Sequence, residues 1–336
     1  MEIFSNGDWL PVVFVGLMGL AIMIYVILDG YDLGVGVLMG RASSEDRDKM
    51  ISSIGPFWDA NETWLVLSVG LLLVAFPIAH GEILSALYLP TALMLLGLIL
   101  RGVSFDFRVR SKPEHRKTWC NNFVIGSILT SFMQGFMLGS YITGFKYDLF
   151  NFAFCILSGL CLIAGYSLVG ASWLIMKTQG ALQKRAISWA KTSLVGTTTG
   201  MILVSSATPM ISDRIFSKWF VLPNFYYLLP IPLITACTIL YIEYTLRRLP
   251  MPKEEKVWVP FVGSVVLFSL GFFGLAISFF PYIIPERMTI WEAASAHESL
   301  LLILYGTILV LPFILGYTFF VYRIFWGKVS SKDEHH

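Results

Sequence analysis

Nine apolar runs leave this chain few folds to choose from: residues 11–39, 57–79, 81–103, 119–143, 149–177, 187–209, 223–246, 257–284 and 297–325. A bilayer core of roughly 30 Å takes about 20 residues of helix, and every run is that long. In lipid the backbone must satisfy its own hydrogen bonds, so the runs are expected as transmembrane helices of an all-α polytopic protein. The least distinct boundary falls between the second and third runs, at Pro77, His80, Gly81 and Glu82. Composition agrees. Of 336 residues, 56% are hydrophobic and 14% charged, against roughly a quarter charged in soluble domains. So few polar side chains could not cover a soluble core of this size. A net charge of +2 gives a nucleic-acid partner no electrostatic support.

The first run is expected to stay in the membrane. Residues 1–10 hold no Lys or Arg, the run is too long for a signal peptide, and no small-x-small cleavage site follows. Cys120, Cys155, Cys161 and Cys237 stand singly, without CxxC or CxxCH, and read as small core residues rather than thiolate ligands.

Basic residues then orient the helices. Arg41, Arg47 and Lys49, the 101–117 cluster, the 177–191 cluster, Arg247 to Lys256 and the C-terminal Arg323, Lys328 and Lys332 fall at alternate helix ends. Of 24 Lys and Arg, only Lys146, Arg214, Lys218 and Arg287 fall on the other side. By the positive-inside rule the N-terminus is expected outside and the C-terminus in the cytoplasm. Helices start at Pro11 and Leu149, and again at Trp119 and Trp258, an offset near 139 residues. Four spans per unit predict a parallel repeat: a first four-helix bundle in 1–145, a second in 146–290, and a peripheral ninth helix with its tail in 291–336. Similar spacing also arises in any short-looped bundle, so the duplication stays an open reading.

Ionisable groups inside a span are costly and need a reason. Asp29 and Asp32 share a face near the cytoplasmic end of the first span. Asp59 and Glu62 share a face at the start of the second, with Asn61 able to donate nearby; the third ends with Arg101, Asp106 and Arg108. Five carboxylates and two arginines are thus expected to meet on one side of the first bundle. The second half has Gly165-Tyr166-Ser167 where the first has Gly30-Tyr31-Asp32, and little acid. Charge kept for solubility alone should occur in both halves. One reading makes these acids interfacial, solvated or paired with Arg101 and Arg108. The other makes them a proton path, with Asp59 enclosed by Trp58 and Trp64 and Glu62 taking the proton onward. Gly30-xxx-Gly34, Gly36-xxx-Gly40 and Gly135-xxx-Gly139 predict close helix crossings. Of the histidines only His297, beside Glu292 and Glu298, could face a haem iron, and an interfacial histidine is the plainer reading.

Three segments carry a family likeness: Leu28-Asp29-Gly30-Tyr31-Asp32-Leu33-Gly34-Val35-Gly36, Gly55-Pro56-Phe57-Trp58-Asp59-Ala60-Asn61-Glu62-Thr63-Trp64, and Leu100-Arg101-Gly102-Val103-Ser104-Phe105-Asp106-Phe107-Arg108. They resemble subunit II of cytochrome bd-type quinol oxidases, over essentially the whole chain in length, span count and block order. Ala60 stands where Gly is expected in many relatives, and the short chain resembles the cyanide-insensitive branch. The resemblance implies an oxidoreductase complex in the bacterial cytoplasmic membrane that oxidises quinol and reduces dioxygen to water. Haem b and haem d would sit in a haem-carrying subunit I, with this chain as its haem-free partner. It implies support of assembly and part of the cytoplasmic proton route to the haem d site, with Asp59 matching the channel acid. Asp29, Asp32 and Asp106 match acids of the same route, and a structural quinone or lipid and a small single-helix accessory subunit are compatible with it. Two other readings share some features: a secondary transporter with buried carboxylates, and a purely structural subunit.

Overall fold

The computed structural model describes residues 9–251, 255–325 and 327–328. Almost all of it is helix: α1 (Trp9–Leu38), α2 (Ser44–Ile54), α3 (Trp58–Ala75), α4 (Pro77–Ala86), α5 (Tyr88–Arg110), α6 (Pro113–Ile142), α7 (Leu149–Lys177), α8 (Gly180–Ile211), α9 (Asp213–Phe220), α10 (Asn224–Leu228), α11 (Pro230–Arg248), α12 (Val259–Phe279), α13 (Ile290–Ala293) and α14 (His297–Ile324). A two-stranded antiparallel hairpin, β1 (Tyr282–Ile284) and β2 (Met288–Thr289), joins α12 to α13.

Among the described residues, eight helices are long and apolar enough to cross a membrane, or nine if the bent pair α2–α3 counts as one span. The expected all-α polytopic architecture is therefore found, with several boundary corrections; α6 starts at Pro113 rather than 119, and the run 223–246 is divided into α10 and α11. Residues 77–86 are a separate short helix, and the third span runs over Tyr88–Arg110 rather than 81–103. Phe76 and Leu87 leave helical dihedrals, and Pro77 takes the first position of α4, where its missing N–H costs nothing. Residues 282–284, expected as helix, are β1. Residues 180–186, with Gln183, Lys184 and Arg185 among them, extend α8 ahead of the apolar run that begins at 187, because Leu182 and Ala186 already pack into the core.

α2 begins at Ser43, whose hydroxyl accepts from the Asp46 backbone N–H at 3.4 Å, and it turns 53° into α3 across Gly55-Pro56-Phe57. Pro56 lacks the N–H that a continuous helix would use there.

α1 packs on α3, α6 and α7; α5 packs on α6, α6 on α7, and α7 on α8 and α12. The α1–α7 crossing is the closest. A Cβ on Gly34 would collide with the Tyr166 carbonyl, and one on Gly170 would fall 2.5 Å from the Gly34 carbonyl carbon. A Cβ on Gly135 would lie 2.5 Å from the Ser158 carbonyl, so α6 and α7 also meet backbone to backbone. Lipid tails give no hydrophobic drive to such contacts, and van der Waals fit through small residues replaces it. α14 leaves most of its apolar side chains exposed, touching the rest through Leu300 near its start, Leu311 and Ile314 beside Ala21, Tyr25 and Trp64, and Tyr322 near its end.

Candidate functional site

A polar cluster lies inside the junction of α1, α3 and α5. Asp29 is nine residues from the end of α1, or about 14 Å along the axis. Arg101 of α5 donates through Nη2 to Asp29 Oδ1 at 2.6 Å and to Glu62 Oε1 at 2.5 Å. Arg101 and Asp29 are buried at 1% and 0% exposure, while Glu62 keeps 28%. Beside them Asn61 Nδ2 donates to Asp32 Oδ2 at 2.7 Å and lies 3.1 Å from the Tyr31 hydroxyl. The Tyr322 hydroxyl donates to Asn61 Oδ1 at 3.2 Å and sits 2.7 Å from that of Tyr31, so α14 closes the cluster.

Helical spacing produces this arrangement. Asp29 and Asp32 are three apart on α1, and Asn61 and Glu62 adjoin on α3, so each helix offers two polar groups to one seam. Not every polar atom is matched. Asp29 Oδ2, Asp32 Oδ1, Arg101 Nε and Nη1 and Ser104 Oγ are buried without a hydrogen-bond partner among the described residues. Buried polar atoms are normally bonded, so these offer hydrogen bonds to water or to groups beyond this chain.

The expected convergence of five carboxylates and two arginines needs correcting. Three carboxylates (Asp29, Asp32 and Glu62) and one arginine come together. Asp59 is exposed, not enclosed, because it stands in the first turn of α3, where an acid faces out and is favoured by the helix dipole. Trp58 packs on Phe105 at 4.8 Å between centroids with the rings tilted by 37°, Trp64 packs against Ala21 and Tyr25, and Asp59 is left exposed. Asp106 is also exposed, since five residues beyond Arg101 is about 140° round the helix. Arg108 is not with these acids: it forms an ion pair with Asp48 of α2 and donates to Cys120 Sγ at 3.0 Å. Cys120 and Cys155 are buried and Cys161 half-buried, but Cys237 is exposed on an apolar helix face instead of in the core. His115 and His297 are exposed, and His80 is half-buried on α4.

Five hydrogen-bonding residues were not anticipated. Tyr31 and Tyr322 join the Asn61 branch. On the other side Tyr166 donates to Gln134 Oε1 at 2.6 Å, and Gln134 Nε2 donates to the Tyr25 hydroxyl, also at 2.6 Å. Tyr25 in turn interacts with Asp29. Gln134 was the available signal, an amide in the middle of an apolar run, which a search for charges passes over.

The model of the family described as cytochrome bd terminal oxidase subunit II matches residues 10–325. The chain belongs to that family. It is 26% identical to cytochrome bd-I ubiquinol oxidase subunit 2 of Escherichia coli K12, over 94% of each chain. To cytochrome bd ubiquinol oxidase subunit 2 of Bacillus subtilis it is 27% identical, over 92% of this chain and 94% of the relative. A chain of the bd oxidase structure from Geobacillus thermodenitrificans superposes with a TM-score of 0.73 at 15% identity, covering 94% of this chain and 98% of the other, a likeness of fold. A bd-type subunit II is a membrane-embedded part of an oxidoreductase complex, and it implies a subunit I.

Proposed function

We propose that this subunit II carries protons from the cytoplasmic side towards the haem d site of subunit I, holds no haem itself, and supports assembly of the complex. The observation that carries the reading is the Asp29–Arg101–Glu62 cluster with Asp32 and Asn61. Three carboxylates gather about one guanidinium in a sheltered place, and Asp29, Asp32 and Arg101 each keep buried polar atoms unmatched among the described residues. An excess of acids over cations, inside an apolar bundle, is expensive unless it serves a purpose. Glu62 is the half-open member and Asp59 lies one turn before it on the surface, so a proton has a chain of carboxylates between surface and interior. Asp106 marks the same end of α5.

The exposed apolar face of α3 and α5, with Val66, Leu73, Leu96 and Ile99, suits the side facing subunit I, with Asp59 at its edge. Haems b and d would be held by subunit I, where quinol is oxidised and dioxygen reduced to water. The described histidines stand on a short helix or in exposed positions, not within the packed interior, which supports a haem-free role here. The clustering of Lys and Arg at alternate helix ends supports a periplasmic N-terminus and cytoplasmic C-terminus in the bacterial inner membrane. The helix order supports a reading as two four-helix bundles plus α14, with α1, α3, α5 and α6 in the first and α7, α8, α11 and α12 in the second, packed together through α1–α7 and α6–α7.

Asp59→Asn in the whole oxidase tests the relay. Asp59 is exposed, so the change should leave assembly and haem content intact and alter stability by less than about 0.5 kcal/mol. Oxygen consumption at saturating quinol should fall several-fold. Unchanged turnover would leave the subunit a structural role only.

A further inference from the structure

The helix ends opposite the acidic cluster carry few cations, and the fold collects them. Lys146 follows α6, Arg214 and Lys218 lie on α9, and Arg287 sits between β1 and β2. Acids outnumber them on this face: Glu82, Asp148, Asp213, Glu286, Glu292 and Glu298. Yet Lys146, Arg214 and Arg287 all line one cavity of about 220 Å³. Lys218 is close by, and burial together with the Arg214 charge holds its ammonium below the usual lysine range. Arg287 Nη2 lies 3.5 Å from Glu82 Oε2, which offsets part of its charge, and gathering the remaining like charges costs free energy.

Arg214 is the centre of the site. Its guanidinium carbon lies 4.7 Å from the centroid of the Tyr282 ring, a cation–π contact that holds the group against the wall. Its Nε and Nη2 are buried and have no hydrogen-bond partner among the described residues. Those two nitrogens form one edge of the guanidinium, the fork that matches two oxygens of a phosphate or carboxylate. Glu286 is the acid in the lining, and its Oε1 accepts a hydrogen bond from Ser212. The wall is built from unusual backbone, with Gly144 at φ +63° and Glu286 at φ +60°. The floor is apolar, from Ile142, Ile211 and Phe279, where α6, α8 and α12 end. A cationic rim over an apolar floor at the ends of membrane helices is where a charged group at headgroup depth would sit.

We propose that this cavity binds a phosphate group through the Nε–Nη2 edge of Arg214, with Lys146 and Arg287 closing on it. The phosphate comes either from the headgroup of an anionic phospholipid or from free phosphate. The site is separate from the acidic cluster and does not depend on the proton-route reading.

The test uses the intact oxidase complex, delipidated in neutral detergent. Phosphatidylglycerol and inorganic phosphate are titrated separately, with bound lipid read by native mass spectrometry and the thermal midpoint read for both. Wild type should bind at least one of the two saturably. Arg214→Gln should weaken that binding roughly tenfold, the loss expected for a charge-assisted hydrogen bond. Saturation by phosphatidylglycerol alone identifies the lipid headgroup, and saturation by inorganic phosphate as well identifies a site open to free phosphate. The double variant Lys146→Gln/Arg287→Gln, at two exposed positions, provides the same test if Arg214→Gln does not assemble. Equal binding by wild type and whichever variant assembles, or no saturable binding of either probe by wild type, overturns the proposal.

Discussion

The two halves of the chain place the same Gly-Tyr pair in mid-helix and surround it differently. In α1 the buried Tyr31 stacks on Trp173 at 4.3 Å and shares hydrogen bonds with Asn61 and Tyr322, next to Asp32. In α7 the buried Tyr166 stacks on Phe268 at 5.8 Å and donates to Gln134, next to Ser167. Gly30 makes room for Tyr166, and Gly165 makes room for Phe268. Close packing around a Gly-Tyr step therefore needs no charge. The carboxylates of α1 are an addition to a scaffold that α7 builds without them. This contrast is the best support for a functional reading of Asp29 and Asp32.

The largest effect should come from the crossing that joins the halves. Gly34→Leu would drive a side chain into the α7 backbone and cost about 3 kcal/mol or more. Gly16→Leu, where an added Cβ meets nothing within 4 Å, should stay within about 0.5 kcal/mol. Membrane yield and thermal midpoint of the two variants measure the difference, and equal behaviour would remove the crossing from the description.

Asp29→Asn comes next. It leaves buried Arg101 with Glu62 as its one ion-pair partner among the described residues and should cost about 3 kcal/mol. A midpoint shift of several degrees is expected in the purified complex. If stability is unchanged, the acid contributes nothing to the pairing of α1 with α5.

A finer contrast uses the two tyrosines. Tyr166→Phe strips Gln134 of a donor at the far end of the arm that reaches Asp29 through Tyr25, and should cost about 1 kcal/mol with little loss of oxygen consumption. Tyr31→Phe should cost a similar amount and also slow oxygen consumption, because its hydroxyl belongs to the cluster. Equal kinetics in the two variants would dissolve the functional asymmetry between the halves.

The smallest effect is at the opposite end, where the hairpin and α13 bring Ile284, Ile290 and Ala293 against Leu10, Phe14 and Phe76 of the first half. Glu292 accepts from the Thr289 backbone N–H at 2.7 Å and from its hydroxyl at 2.9 Å. These bonds hold the Glu292 carboxyl below the usual glutamate range. A lowered value in the folded state means that the contribution is complete above the unfolded value and disappears as pH falls through the folded one. Amide exchange in α13, corrected for its intrinsic pH dependence, should therefore accelerate on acidification. Glu292→Gln should flatten that response.

Most of the helices were legible without coordinates, since a run of some 20 apolar residues has one stable form in lipid. The acids of α1 and the Arg101 that answers them could be named, and so could the close approach at Gly34 and Gly135. Tertiary structure decided the pairings. Arg101 bridges to Asp29 and Glu62, which lie 72 and 39 positions away in the chain. Arg108 turns to Asp48, Asp59 faces outward, and Tyr25, Gln134 and Tyr166 extend the network. The physical reason is that a membrane helix is apolar on the lipid side as well as the packed side, so periodicity does not report which face turns inward. The short α4 and the gathering of Lys146, Arg214 and Arg287 depend on how chain ends fold over one another, which no local pattern encodes.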